Sequence, residues 1–192
     1  MKVQQPADPW QRTTTEHGLA ADEVISALQK CLRRGMLDNA LLLAWEMYLT
    51  SPELEDKLWS RLCVIAVEDI GMGNPQAPVL IETLYQQHYR HPRPSGDRFL
   101  FAAHAVRVLA TSDKDRTTDD MVNWAARSMA LGETVPQIPD FALDMHTGRG
   151  QAMGRDYRYF MEEASRVMPE MGSKDPRYRD WIMQALEDGR LT

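Results

Sequence analysis

The sequence predicts an all-α protein, a multi-helix bundle built of antiparallel helix pairs. Three observations carry this. Apolar residues recur at threes and fours from Leu19 to Leu131. Helix start and stop signals punctuate that pattern at short intervals. No stretch alternates β-branched and polar residues as a half-buried strand does. Short loops between consecutive helices then favour antiparallel neighbours.

Residues 1–18 are polar, carry Pro6, Pro9 and three successive threonines, and read as a flexible tail. Trp10 is expected to dock, because its apolar area is large. The first helix carries Val24, Ile25, Leu28 and Leu32 and ends at Arg33-Arg34-Gly35, with cations in the last turn and Gly behind them. The second, about Asp38 to Leu49, is apolar nearly all round and is expected to be central. Ser51-Pro52-Glu53 opens the third, as N-cap, first-turn Pro and dipole-complementing acid. That helix should reach Glu68 or Asp69 and stop at Gly71 and Gly73. Asn74-Pro75 repeats the start signal for a fourth helix, which ends near Tyr89 before His91-Pro92-Arg93-Pro94. A fifth is expected over about Gly96 to Thr111. A sixth, to Leu131, starts at Thr117-Thr118-Asp119-Asp120, which fits a capping box. The last third is less regular. Helices are expected from Pro139 to His146, from Gln151 or Asp156 to Met168, and from Pro176 to Asp188.

The chain has 192 residues, 43% hydrophobic and 26% charged, which suits one domain or a compact pair of subdomains. It is read as the tail followed by one helical domain over 19–192, regular over 19–131 and less so over 132–192. The net charge of −6 argues against a protein that simply coats DNA, though not against a local basic patch. Cys31 and Cys63 lie in apolar helical patterns and form no CxxC pair, so two reduced thiols are expected. Residues 1–18 have no apolar core of a signal peptide, and no run approaches the roughly 20 apolar residues of a membrane span. Cytoplasm and no membrane association are the expectation.

Catalytic motifs are missing. There is no GxxxxGK[ST], no HExxH and no GxSxG. Gly71-Met72-Gly73 and Gly148-Arg149-Gly150 both break the dinucleotide fingerprint. No cofactor, no metal and no enzymatic activity are expected. One catalytic alternative is a helical His/Asp metal phosphohydrolase using His104, Asp120, Asp144 and His146, since imidazole and carboxylate suit divalent ions. His104, among Phe101, Ala105 and Val108, reads more readily as a hydrogen-bonded core histidine. A second alternative is a single-stranded DNA-binding module. Arg90, Arg93 and Arg98 stand against one acid, Asp97, and Arg149, Arg155 and Arg158 stand beside Tyr157, Tyr159 and Phe160. In that second segment Asp144, Asp156, Glu162 and Glu163 balance the arginines, which favours a solvated helix face. Met121, Met129, Met145, Met153, Met161, Met168 and Met171 read as gap-filling core, the alternative being an adaptable protein-binding surface.

Three runs together are similar to one family. The first is Ser26-Ala27-Leu28-Gln29-Lys30 with Arg33-Arg34-Gly35, Asn39-Ala40-Leu41, Trp45 and Met47. The second is Leu58-Trp59-Ser60-Arg61-Leu62 leading to Glu68-Asp69-Ile70-Gly71-Met72-Gly73-Asn74-Pro75-Gln76-Ala77. The third is Ala103-His104-Ala105-Val106, Leu109-Ala110 and Lys114. They resemble the C-terminal helical region of the RarA/MgsA replication-associated AAA+ ATPases, whose relatives include Werner-helicase-interacting protein. The resemblance is good over 19–131 and weaker through 144–160. It implies a clamp-loader-collar-like helical fold and a homo-oligomer, tetramer or dimer. It further implies work at stalled forks and in recombination, with an AAA+ ATPase or replication protein as partner. This chain lacks the ATPase motifs, so an assembly module without its motor is expected. Glu68, Asp69, Gly71, Asn74 and Pro75 are expected to be structural. Their role is to close one helix and open the next, with Glu68 and Asp69 capping or pairing with Arg61 or a basic residue of a neighbouring helix.

Overall fold

The computed structural model describes residues 8–191, so Met1 to Ala7 of the expected tail lie outside the described residues. The chain divides into two compact units, one ending at Leu131 and one beginning at Gly132. Among the described residues all regular elements are helical, and the single β-bridge joins Thr14 to Ala20.

Unit 1 holds α1 (Ala21–Arg33), α2 (Leu37–Thr50), α3 (Pro52–Ile65), α4 (Ala77–His88), α5 (Gly96–Thr111) and α6 (Thr117–Ala130). α1 ends as its sequence dictates. Gly35 takes a positive φ of 69°, and the Met36 N–H returns to the Cys31 carbonyl at 2.9 Å. α2 packs on α1, α3 and α5, and so is the central helix. The core is one cluster that includes Leu28, Leu32, Met47, Leu58, Trp59, Leu62, Ile65, Ile81 and Leu109, all essentially inaccessible. Its burial is the main source of stability.

Ser51 Oγ accepts the Leu54 N–H at 3.1 Å and starts α3, with Pro52 in the first turn. α3 stays α-helical to Ile65 and then widens into a π-turn, Ala66–Ile70, before the 3₁₀ turn Gly71–Gly73. Asn74 caps the corner. Its carbonyl accepts from the Ala77 N–H at 2.9 Å, and its side chain donates to Ser112 Oγ at 2.9 Å. The capping box expected at Thr117 to Asp120 is replaced by Asp115, whose Oδ1 accepts the Thr117 N–H at 2.9 Å. Lys114 closes α5, its Nζ donating to the carbonyls of Leu109 and Ala110 at 3.1 Å each.

The segment before α1 is anchored from Asp8 onward. Pro9–Arg12 forms a 3₁₀ turn, and Trp10 packs against the core. His17 donates its backbone N–H to Glu46 at 2.8 Å and its Nδ1 meets the other carboxylate oxygen at 2.5 Å. Burial raises the Glu46 carboxyl, but the bonds from Thr15 and His17 outweigh it and hold the group below the usual range.

Unit 2 has a small interior of Leu143, Gly150, Met161, Ala185 and Leu186. Its elements are the 3₁₀ turn Asp140–Ala142, α7 (Gly148–Ala152), α8 (Tyr157–Tyr159, continued by the π-turn Phe160–Ala164) and α9 (Arg177–Glu187). The helix expected from Pro139 to His146 is only that 3₁₀ turn. Asp144 breaks it by turning back, its Oδ1 accepting the His146 N–H at 3.0 Å and its carbonyl accepting from Thr147. A Cβ on Gly150 would lie 1.9 Å from the Asp144 carbonyl oxygen, so only glycine fits there.

Candidate functional site: two carboxylate–arginine clusters and the exposed apolar surface

The most specific run of the sequence, Glu68 to Pro75, builds a buried charge cluster. Asp69 is wholly inaccessible. Its Oδ1 accepts Arg33 Nε at 2.5 Å and also Arg116 Nη1, and its Oδ2 accepts Gln29 Nε2 at 3.0 Å. Glu68, the neighbouring residue, takes Gln29 at 2.8 Å, and Arg33 and Arg116 at 3.2 Å each, with Arg61 at 3.9 Å. Burial raises the Asp69 carboxyl, and the bonds from Arg33, Gln29 and Arg116 more than reverse that, leaving it low and ionised. The cluster therefore joins α1, α3, the π-turn and the α5–α6 junction by charge-assisted bonds. The junction is also sewn on by its backbone. The Asp115 N–H reaches the Asp69 carbonyl at 3.1 Å, and Met72 N–H reaches Asp115 Oδ2 at 3.3 Å. Gly71 has φ +50°, and a Cβ on it would stand 2.5 Å from the Asp115 carbonyl oxygen.

A second cluster was not legible in the sequence. Glu55, in the first turn of α3, is 3% exposed. It accepts Arg98 Nε at 2.7 Å and faces Arg93 Nη1 at 3.5 Å. Arg98 also donates to the His91 carbonyl at 2.9 Å, and Arg93 to the Tyr48 carbonyl. His88 is fully buried against Trp59, Tyr85 and Tyr89. Its Nδ1 must carry the proton, since it donates to the Tyr85 carbonyl. Its Nε2 has no hydrogen-bond partner and lies 3.9 Å from Glu55. Burial pushes the His88 imidazole below its ordinary pKa. A clue was present: three arginines against Asp97 need a carboxylate from elsewhere.

The arginines singled out from the sequence thus divide. Arg93 and Arg98 hold the Glu55 cluster. Arg155 meets Asp140 at 2.6 Å and the Leu143 carbonyl at 2.7 Å, over the Tyr159 ring, and Arg158 meets Glu162 at 3.2 Å. Arg90 and Arg149 are exposed and make no side-chain bond among the described residues. The four proposed phosphohydrolase residues do not form a site. His104 is exposed on α5 rather than in the core, Asp120 is exposed on α6, and Asp144 pairs with His146 at 3.0 Å. No group of three or more metal-ligating side chains occurs among the described residues. A cavity of about 640 Å³ in unit 2 is lined by Phe141, Met168 and charged residues that pair with one another, Glu163 with Arg166 and Glu170 with Lys174.

The methionines correct their reading. Met161 is buried, whereas Met121, Met129, Met153, Met168 and Met171 are exposed. With Trp124, Trp181, Leu131 and Phe141 they give the surface large apolar side chains. No helix among the described residues is long and apolar enough to cross a membrane.

The comparisons agree with this architecture. Residues 36–179 match the family model described as MgsA AAA+ ATPase C terminal, a span that runs past α6 to the start of α9. Replication-associated recombination protein A of Bacillus subtilis (strain 168) is 33% identical over 144 residues, 74% of this chain. The chain spans about one third of the length of that relative, 33%. This all-α chain belongs to the MgsA AAA+ ATPase C-terminal family.

Proposed function

We propose that the chain is a non-catalytic assembly domain that self-associates, as a dimer or tetramer, and serves an AAA+ ATPase or another replication protein in DNA maintenance in the cytoplasm. The observation that carries this is the kind of surface found on a chain matched to the C-terminal part of such ATPases. Met121, Trp124, Met129 and Leu131 stand in water on an element whose fold does not use them. Side chains of that kind mark protein interfaces. The two carboxylate clusters fix the angles between helices and so hold that surface rigid. Of the six arginines singled out from the sequence, Arg90 and Arg149 have no intramolecular side-chain partner among the described residues, and so are the two of that set free for a direct nucleic-acid contact. The remaining four arginines are committed to internal carboxylates and carbonyls.

Light scattering behind size exclusion, across micromolar concentrations, tests the reading. A mass of two or four chains is expected. A mass of one chain at every concentration removes the self-association claim. Binding to single-stranded DNA, with its salt dependence, tests the nucleic-acid role separately.

A further inference from the structure

We propose that His146 is a phosphoryl-acceptor site: its Nε2 takes a phosphoryl group from a phosphoramidate donor, Asp144 holds the ring for the transfer, and Arg149 receives the phosphate oxygens. The site lies wholly in unit 2 and needs no second copy.

The turn that carries His146 fixes one ring orientation. Asp144 engages His146 twice: Oδ1 accepts the backbone N–H at 3.0 Å, and Oδ2 meets Nδ1 at 3.0 Å. The Asp144 carbonyl accepts from the Thr147 N–H at 3.0 Å, and the Met145 carbonyl from Gln151 Nε2 at 2.9 Å. Gly150 closes on the Asp144 backbone where no Cβ fits. Phe160 stands edge-on to the imidazole, with ring centroids 5.2 Å apart. Yet the His146 side chain is 62% exposed. Holding an exposed ring this firmly is what a reacting group requires.

The ring chemistry follows from its partner. The bonds from His146, side chain first, hold the Asp144 carboxyl below its usual range. Asp144 is therefore an anion, and Nδ1 carries the proton. Nε2 keeps its lone pair, and no hydrogen bond among the described residues engages it. An imidazole nitrogen so placed is a nucleophile.

Arg149 points to the phosphoryl group. Every other lysine and arginine of unit 2 bonds a carboxylate, carbonyl or hydroxyl, as Arg155 does Asp140 and Arg179 does Ser165. Arg149, exposed and three residues beyond His146, has no such partner among the described residues. A planar guanidinium matches a pair of phosphate oxygens. His17 marks the contrast. It also sets Nδ1 on a carboxylate, Glu46, and is exposed, but its neighbour in the chain is the anion Glu16.

In the transfer the Nε2 lone pair forms a bond to phosphorus. The donor's own nitrogen–phosphorus bond breaks, and its electron pair leaves with the departing amine. One such bond replaces another, so the donor matches the product in energy. Nδ1 keeps its proton, and the positive charge gained by the ring rests against Asp144.

The test incubates the full chain with phosphoramidate itself at mildly alkaline pH. Mass spectrometry locates the labelled histidines, and phosphorus NMR separates Nδ1 from Nε2 products. His146 should label at Nε2 about tenfold faster than His104, which is exposed without a carboxylate partner. Arg149→Ala should slow labelling of His146 about tenfold and leave His17 and His104 unchanged. Asp144 is a positioning residue, so Asp144→Ala should slow labelling and let Nδ1 product appear. His146 labelled no faster than His104, His146 labelled at the parental rate in Arg149→Ala, or product confined to Nε2 in Asp144→Ala overturns the proposal. Arg149 is exposed, so its variant keeps the fold and decides the matter even where Asp144→Ala loosens unit 2, which circular dichroism checks.

Discussion

Arg33 Nε stands 2.5 Å from Oδ1 of Asp69, a carboxylate that no water reaches. That contact fixes α1 to the turn that follows α3, and its energetics follow from burial. Removing Asp69 leaves Arg33, Arg116 and Gln29 facing a hole. Both arginines are partly exposed and can turn to solvent, so the loss sits at the low end for a broken buried pair. Asp69→Ala should destabilise by about 3 kcal/mol, and Glu68→Ala, on a partly exposed carboxylate, by about 1 kcal/mol or less. Urea unfolding, with an unchanged slope, is the check.

Glu55 serves two arginines that have little access to water. Glu55→Gln should cost about 3 kcal/mol, since it leaves two partly buried cations around a neutral amide. Asp56→Asn, one residue on and outside that pairing, should be nearly silent. Thermal melts of the two variants side by side decide it.

His88 makes stability depend on pH. Its folded pKa lies below the ordinary value of 6.5, so below that pH the unfolded chain binds a proton that the folded chain resists. Stability is therefore lost as pH falls from about 6.5, by up to about 1.4 kcal/mol per pH unit. His88→Leu should flatten the dependence between pH 6.5 and 5. Asp69, whose pKa is lowered, adds a second loss only at pH values below the ordinary aspartate range, near 3.8. Denaturant titrations of both proteins at several pH values would show equal slopes if His88 were not the group responsible.

Glycines at the corner should differ sharply from one in open space. Gly71→Ala meets both a positive φ and the Asp115 carbonyl, and should cost about 2–3 kcal/mol. Gly96→Ala, at the start of α5 with nothing within 4 Å, should be neutral or stabilising by up to about 1 kcal/mol. Chemical denaturation of the two variants provides the comparison.

The helices of unit 1 could be read from the sequence because their local signals agree with their tertiary setting. Ser51 caps, Pro52 starts, Gly35 ends, and the apolar periodicity faces the core that Leu28, Leu58 and Leu62 form. What escaped depends on partners distant in sequence. A glutamate in a first helical turn ordinarily complements the dipole, so nothing local marks Glu55 as a buried anion for Arg93 and Arg98. His88, beside a proline run, gave no sign of its aromatic cage, while His104 sat in an apolar pattern yet faces solvent. The π-turn was invisible because a helix and its widened last turn share one hydrophobic period. In unit 2 the irregular part reflects Asp144 folding back over Gly150, a contact no periodicity encodes.

The π-turn Ala66–Ile70 has a consequence for how the chain tolerates length change. On an α-helix, neighbouring residues point 100° apart, yet Glu68 and Asp69 reach the same two arginines. They do so from a turn that holds one residue more than an α-helical turn. Deleting one residue between Ala66 and Ile70 would rewind the turn to α and remove or displace one of the carboxylates that Arg33 and Arg116 share. Joints between helices are usually where insertions and deletions accumulate; this one behaves instead like a keyed coupling, whose residue count is as fixed as the identity of its carboxylates.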